Sequence, residues 1–518
     1  MDVRSPLFHN IACVLIGIMF LDPIVATAAQ LAVDGQAGGN TRLDRAGNGV
    51  PIVNIATPNG SGLSHNTFID YNVGQQGLIL NNATARTQGT QLGGIIVGNP
   101  NLQGRAAGMI LNEVTGANAS QLKGYTEVAG QAARVIVANP HGITCNGCGF
   151  INTPRATLTT GKAIVEGGRL DRFDVDGGQI TLEGQGLNAS NLDQFDLITR
   201  SAKLNAELHA NQLNIVTGRN QVKADSLATT AKAARPGDAP ALAIDSSALG
   251  GMYAGAIRLV GTEAGVGVKL AGNLAASAGD IQIDANGQLS LAQTAASGNV
   301  RIAAQSAELT GKTYAAGSIS AQTSAALANR QSLAAAGSIA LSGGQVINSG
   351  LIEAGVNPDN SRNQQGDVAI SGQSLRNSGS VIANRQVTVQ VAQALDNQGG
   401  TLSGKTLAQV KAGQLDNRLG RVLAEGTLVI DANALDNRNA GLIQSQGDAG
   451  VKVAGVLHNQ QGQFVSNAKL SVQATQLNNQ SGTLGSHGAM DLSAQTVDNS
   501  AQGRINSAGR LQVRATDL

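Results

Sequence analysis

The segment NPHGITCNGCGF (139–150) gathers His141, Cys145 and Cys148 into one short stretch of a 518-residue chain. Three chemistries use such a set. A zinc site would take both thiolates and the imidazole. Structural zinc wants four ligands, however, and the chain has no second cysteine pair, so His65 or His209 would have to arrive from a distance. A thioredoxin-like redox centre needs a helix N-terminus in a βαβ setting, which nothing here predicts. A disulfide closing a tight bulge needs only an oxidising compartment. The disulfide is the preferred reading of Cys145 and Cys148, with a free dithiol pair left open and no metal assigned. The densest acidic stretch is RLDRFDVDGGQ (169–179), with Asp171, Asp174 and Asp176. Carboxylate pairs can hydrolyse glycosides and oxygen-rich loops can hold calcium. This ligand set is incomplete, and a solvated loop accounts for it. No triad-like local motif surrounds a serine or histidine, so no catalytic residue and no cofactor is assigned.

The compartment follows from the N-terminus. Arg4 precedes the apolar run IACVLIGIMFL (11–21), and ATA (26–28) offers the small residues a signal peptidase requires. The run is too short to span about 30 Å of hydrocarbon. Residues 1–28 therefore read as a signal peptide. Cys13 leaves with it, so the mature chain holds only Cys145 and Cys148, where disulfides form. Charged residues are 13% and balance to +1, which disfavours nucleic acid and anionic membranes as partners. Tryptophan is absent and aromatics are 2%, yet 42% of residues are apolar. That composition suits a narrow core tiled by Ala, Val, Leu and Ile.

The elements that must carry these residues are periodic. Triplets ending in Asn place Asn377, Asn397, Asn417, Asn437, Asn459, Asn479 and Asn499 at steps of 20, 20, 20, 22, 20 and 20. A looser register puts glycines at 279, 298, 317 and 337. A period near 20 means a solenoid. Within GTLVIDANALDN (426–437), Leu428, Ile430, Ala432 and Ala434, with Leu435 as a further candidate, recur at near-two spacing, which is strand periodicity. The expected fold is all-β: a parallel β-helix of about 20 residues per coil with small extra-helical elements. The asparagines should stack at a turn, bonding up and down the column and taking the left-handed conformation of the corner. Upstream, IIVGNPN (95–101) is echoed by VIVANPH (135–141), 40 residues or two coils later. Each should place a buried strand before an Asn-Pro turn. NLDQFDLITRSAKLNAELHANQLNIVTG (191–218) breaks the alternation and reads as extra-helical. AKAARPGDAPA (231–241) and VNPDNSRNQQ (356–365) read as loops.

Three stretches, in order, resemble the secretion domain of two-partner secretion exoproteins, which include filamentous haemagglutinins, haemolysins and contact-dependent inhibition proteins. They are GNPNLQGRA (98–106), GYTEVAGQAARVIVANPHGITCNGCGFINTPRATLTTG (124–161) and AIDSSALGGMYAGAIRLVGTEAGVGV (243–268). The resemblance implies a right-handed β-helix, with a secretion domain at 29–270 and haemagglutinin-type repeats at 271–518. It implies a secretion motif at Asn99, Pro100, Asn101 and Leu102, and at Asn139, Pro140 and Gly142. His141 replaces the asparagine usual in the second motif, which puts a side-chain bond there in doubt. It also implies Sec machinery and signal peptidase at the inner membrane, and an outer-membrane β-barrel transporter with POTRA domains. The product would reach the surface of a Gram-negative bacterium through the periplasm. There it would act as an adhesin or stalk, with host or neighbouring-cell receptors or glycans as partners. A toxin-delivery protein and a β-helical polysaccharide enzyme are the alternatives. The repeat register runs on to the last residues, so the chain is expected to be the front of a longer exoprotein or a truncated copy.

Overall fold

A computed structural model describes residues 30–518 apart from 234 and 236; the signal-peptide reading lies outside the described residues. The chain winds into a parallel β-solenoid of about 19 turns, roughly 21 residues each. The 3-10 turn Pro100–Leu102 is the one helical element among the described residues. A repeat near the C-terminal side shows how a coil is built. Strand Arg421–Ala424 forms one face, and Thr427–Asp436 turns a corner and forms the other two. Each strand pairs in parallel with its counterpart one coil on: Val422 with Ile443, Ile430 with Val451, Leu435 with Leu457. Leu428, Ile430, Ala432 and Leu435 point inward, whereas Ala434 does not. The alternation slips by one residue where the strand bends, so Leu435 rather than Ala434 continues the core.

The asparagine column is longer than the spacing in sequence suggested. Asn329 and Asn348 precede Asn377, and each side-chain amide donates to the next oxygen at 2.7–2.8 Å, from Asn329 through to Asn499. The 29-residue step from Asn348 to Asn377 is lengthened by the loop at 356–365. Upstream of Asn329 the same position is Leu309, so the Asn329 Oδ1 has no donor. The asparagines themselves are not in the left-handed region. That conformation falls two residues later, at Leu419, Gln461 and Ser481, and on two residues in the longer turns, Asn439 with Ala440 and Ala501 with Gln502. The asparagine amide instead donates to the carbonyl that closes its turn, as Asn417 does to Gly420. The glycine there is required by stacking. A Cβ on Gly420 or Gly462 would collide with the carbonyl oxygen of the asparagine one coil back.

Segment 191–218 is core, not extra-helical. Strands Leu187–Thr199 and Leu208–Thr217 stack in parallel, with Phe195, Leu197, Leu213 and Ile215 buried. Their outward residues Ile198 and Val216 are buried too, under a four-stranded antiparallel sheet of Lys162–Glu166, Arg169–Val175, Asn220–Lys223 and Thr229–Ala231. Strands covered on both faces read as continuous apolar runs and lose the alternation that marks a one-sided sheet. The acidic stretch read as a loop is therefore largely the strand Arg169–Val175 of that covering sheet. A second departure is the antiparallel hairpin Thr87–Thr90 with Gly94–Val97. Its Ile95 and Val97 are exposed while Ile96 packs on the solenoid. The strand before the first Asn-Pro is thus a side hairpin. The strand before the second, Arg134–Ala138, is solenoid core. The 40-residue echo is one of turns and not of coils.

Replacing Asn417 with Ala removes the donor to Asn437 and leaves that Oδ1 buried without a partner. A cost on the order of 2–3 kcal/mol is expected. It should be read as a lowered denaturant midpoint, with a smaller effect for Asn499→Ala at the end of the column.

Candidate functional site

The two Asn-Pro turns are built alike. Asn99 caps the turn Pro100–Leu102: its Oδ1 accepts from the Asn101 amide at 3.0 Å, and its Nδ2 donates to the carbonyls of Ile55 and Asn81, both at 2.9 Å. Asn101 donates to the Asn40 carbonyl at 2.7 Å, and Leu102 is buried in the core. In the second turn Asn139 Oδ1 accepts from the His141 amide at 2.9 Å. Its Nδ2 donates to the Asn118 carbonyl and the Ser120 hydroxyl. Gly142 has φ +115 and sits where a Cβ would press on the Gln179 carbonyl. Asn99, Asn101 and Asn139 are all buried, whereas Pro100, Pro140 and His141 face solvent. The asparagines shape the turns from within. What each turn offers outward is a proline ring and exposed backbone. His141, being outside, does not repeat the tie that Asn101 makes.

Three residues beyond Gly142, Cys145 is joined to Cys148 by a disulfide with Cα atoms 5.4 Å apart. Both sulfurs are in the core: Cys145 stacks between Leu122 and Leu182, and Cys148 stacks on Leu187. The bridge spans the Asn146–Gly147 corner, where Gly147 takes φ +79. It therefore clamps two faces of one coil, directly after the second Asn-Pro turn.

Residues 29–291, half of the chain, match the TPS secretion domain model, and 295–367, 359–429, 407–460 and 449–515 match the haemagglutinin repeat. The chain belongs to the two-partner secretion family. A 16S rRNA endonuclease CdiA of Enterobacter cloacae subsp. cloacae is 54% identical over 300 residues, 58% of this chain and 9% of that protein. A tRNA nuclease CdiA of Yersinia mollaretii is 44% identical over 391 residues, 75% of this chain and 13% of that protein. The chain thus spans about a tenth of these relatives. The crystal structure of a filamentous haemagglutinin secretion domain matches at 36% identity and TM-score 0.47, covering 57% of this chain and 95% of that one. Proteins of this family are secreted or cell-surface proteins of Gram-negative bacteria.

The secretion domain holds its covering sheet with charges that the sequence reading missed. Arg134 donates to the Ala224 carbonyl and to Asp225. Arg155 donates to the same carbonyl and to the fully buried Asp196 at 2.6 Å. Burial first, then the neighbouring Arg155 charge, pulls the Arg134 guanidinium down to about 10. Arg200 bridges Glu263 and Asp238, and Arg219 bridges Asp176 and the Ala233 carbonyl. Asp171 accepts from Lys223 across the covering sheet and from its strand neighbour Arg172. A signal existed for two of them: Arg134 opens the apolar run VIVA and Arg200 follows LIT, where a charge must find a partner.

Bonds from Lys223 and Arg172 hold the Asp171 carboxyl below its ordinary range, and the bond from Arg200 does the same for Asp238. Partial burial raises Asp176, but bonds from Arg219 and Lys232 outweigh it and leave it low as well. Carboxyls depressed on folding stabilise above their unfolded value of about 4 and lose that contribution as pH falls through the folded value. Amides of Asn220–Lys223 should therefore exchange faster at pH 3 than at pH 5 relative to those of Val368–Asn377, a strand without carboxylates. Equal protection would exclude a carboxylate latch. Cys145→Ser with Cys148→Ser should leave release into the medium near wild type if the chain crosses the outer membrane unfolded, since so small a loop would hardly widen it. Lost export with the domain's melting temperature intact would instead place the bridge in recognition.

Proposed function

We propose that residues 29–270 are the part read by an outer-membrane β-barrel transporter with POTRA domains, and that 271–518 form a stalk. The route would be Sec export, removal of residues 1–28 by signal peptidase, and a periplasmic passage to that transporter. The observation that carries the reading is the secretion-domain match over 29–291, with both Asn-Pro turns held open to solvent by buried asparagines. The exposed Pro100, Pro140 and adjoining backbone are the surface we assign to recognition. No enzymatic step is assigned to this chain.

Translocation needs a source of direction. Each emerging coil bonds its backbone to the coil before it and buries a strip of Leu, Val and Ala, with contacts to nearest neighbours only. Folding outside can therefore draw the chain outward one coil at a time. The surface role is that of a filamentous-haemagglutinin-like adhesin or its stalk. The second reading, the front of a contact-dependent inhibition protein, is favoured by the two nuclease-named relatives at 54% and 44% identity. Those activities belong to proteins of which this chain matches 9% and 13%.

The test is co-expression with an outer-membrane transporter of the two-partner secretion type, reading release into the medium. Leu395→Asp with Leu415→Asp puts two charges into adjacent coils of the buried leucine column. Release should fall at least several-fold. Release at the wild-type level would sink folding-driven export.

A further inference from the structure

The chain has four tyrosines, seven phenylalanines and no tryptophan. Every phenylalanine among the described residues is buried, and so is Tyr71. The other three tyrosines lie on one line. Strand pairing carries an outward column from Tyr125 through Gly149, Asn188 and His209 to Tyr253, then through Ala275 and Ala295 to Tyr314. His209 stacks on Tyr253 with ring centroids 5.2 Å apart and planes 17° off parallel. At one coil per inter-strand spacing, the line is about 34 Å long, and Tyr253 stands about 14 Å from Tyr314 with an alanine floor between. In a chain this poor in aromatics, collecting all the solvent-facing tyrosines in one file needs a cause.

The file is also framed. At its start the hairpin Thr87–Thr90 with Gly94–Val97 closes the face, its connecting amides of Gln91 and Leu92 donating to the Glu127 carboxylate. At its end the Tyr314 hydroxyl donates to the Val356 carbonyl, where the loop at 356–365 begins. Along the border stand the exposed amides of Asn273 and Gln293, with the bases Lys123 and Lys312 offset by the acids Glu207 and, under the hairpin, Glu127. Flat rings, hydrogen-bonding amides and no net charge suit a ligand with apolar C–H faces and many hydroxyls. A single-stranded nucleic acid would also stack, but needs a positively charged groove.

We propose that this face binds a linear, uncharged polysaccharide lying along the solenoid axis. Its pyranose rings would stack on Tyr253 and Tyr314 while Asn273 and Gln293 bond its hydroxyls. A hexopyranose unit is about as long as the coil rise of roughly 4.8 Å, so successive sugars meet successive coils. The site is separate from the Asn-Pro turns and stands whether or not the export reading holds.

The test uses the mature secreted chain in affinity electrophoresis through gels containing dextran, amylopectin, mannan, galactomannan or mixed-linkage β-glucan, with heparin and oligo-dT as charged controls. At least one neutral polymer should retard it. Tyr253→Ala with Tyr314→Ala should weaken that retardation at least tenfold, and Tyr253→Phe should retain it. A fragment of the retarding polymer should also change tyrosine fluorescence of the unmodified protein, which reports this face because the chain lacks tryptophan. That arm holds even if the double variant misfolds. No retardation by any neutral polymer, retardation by heparin or oligo-dT alone, an unchanged folded double variant, or unchanged fluorescence would each overturn the proposal.

Discussion

Everything in this molecule hangs on parallel backbone pairing kept in register from coil to coil. Pairing fixes the rise at roughly 4.8 Å, so any residue in a given position sits directly over its equivalents. An apolar residue then becomes a buried column, an asparagine a chain of amides, a tyrosine a file of rings. The same stacking leaves no room for a Cβ where a corner meets the carbonyl of the coil before it, and glycine is placed there for that reason. Composition and fold are two views of this constraint. A core one coil wide holds Leu, Val, Ile and Ala, and the few buried phenylalanines lie mostly in the secretion domain, where Phe150 and Phe195 neighbour each other across coils.

How much was legible followed from how strictly a segment obeys the stacking rule. In the C-terminal repeats each side chain has one environment, so spacing alone identified the column from Asn377 to Asn499. Asn329 and Asn348 escaped because the loop at 356–365 stretches one step to 29 residues. In the secretion domain a second layer covers the outer face. There Ile198, Val216 and Val260 are buried from outside, and the two-residue alternation on which strand reading depends disappears. Segment 191–218 was misread for that reason. The two Asn-Pro turns were visible as turns, but their side-chain roles were not. A buried asparagine and an exposed one look the same in sequence. Only the fold shows that Asn99 and Asn139 face inward and that their prolines face out.

The candidate sites divide along the same line. The turns and the disulfide corner sit where the solenoid path bends, at positions a local motif can announce. The arginine latches and the tyrosine file bring together residues that lie from 19 to 91 positions apart in the chain. A local pattern can mark an arginine beside an apolar run, but it cannot name the partner, which the path of the chain supplies. Arg155 finds Asp196, and Tyr253 finds His209, at separations of 41 and 44 residues.

The turns after the ladder asparagines come in three lengths. Those after Asn329, Asn348 and Asn377 hold no left-handed residue, four take one residue more and close with a single left-handed residue, and those at Asn439–Ala440 and Ala501–Gln502 take yet one more. The asparagine column passes all three kinds with bonds of 2.7–2.8 Å. Length is thus absorbed at the rim while the stack below stays unaware of it. Under recombination between repeats, this is a tolerance on the cut. Recombination that adds or drops a whole coil, or misses the repeat boundary by one codon within the turn, still yields a chain that stacks.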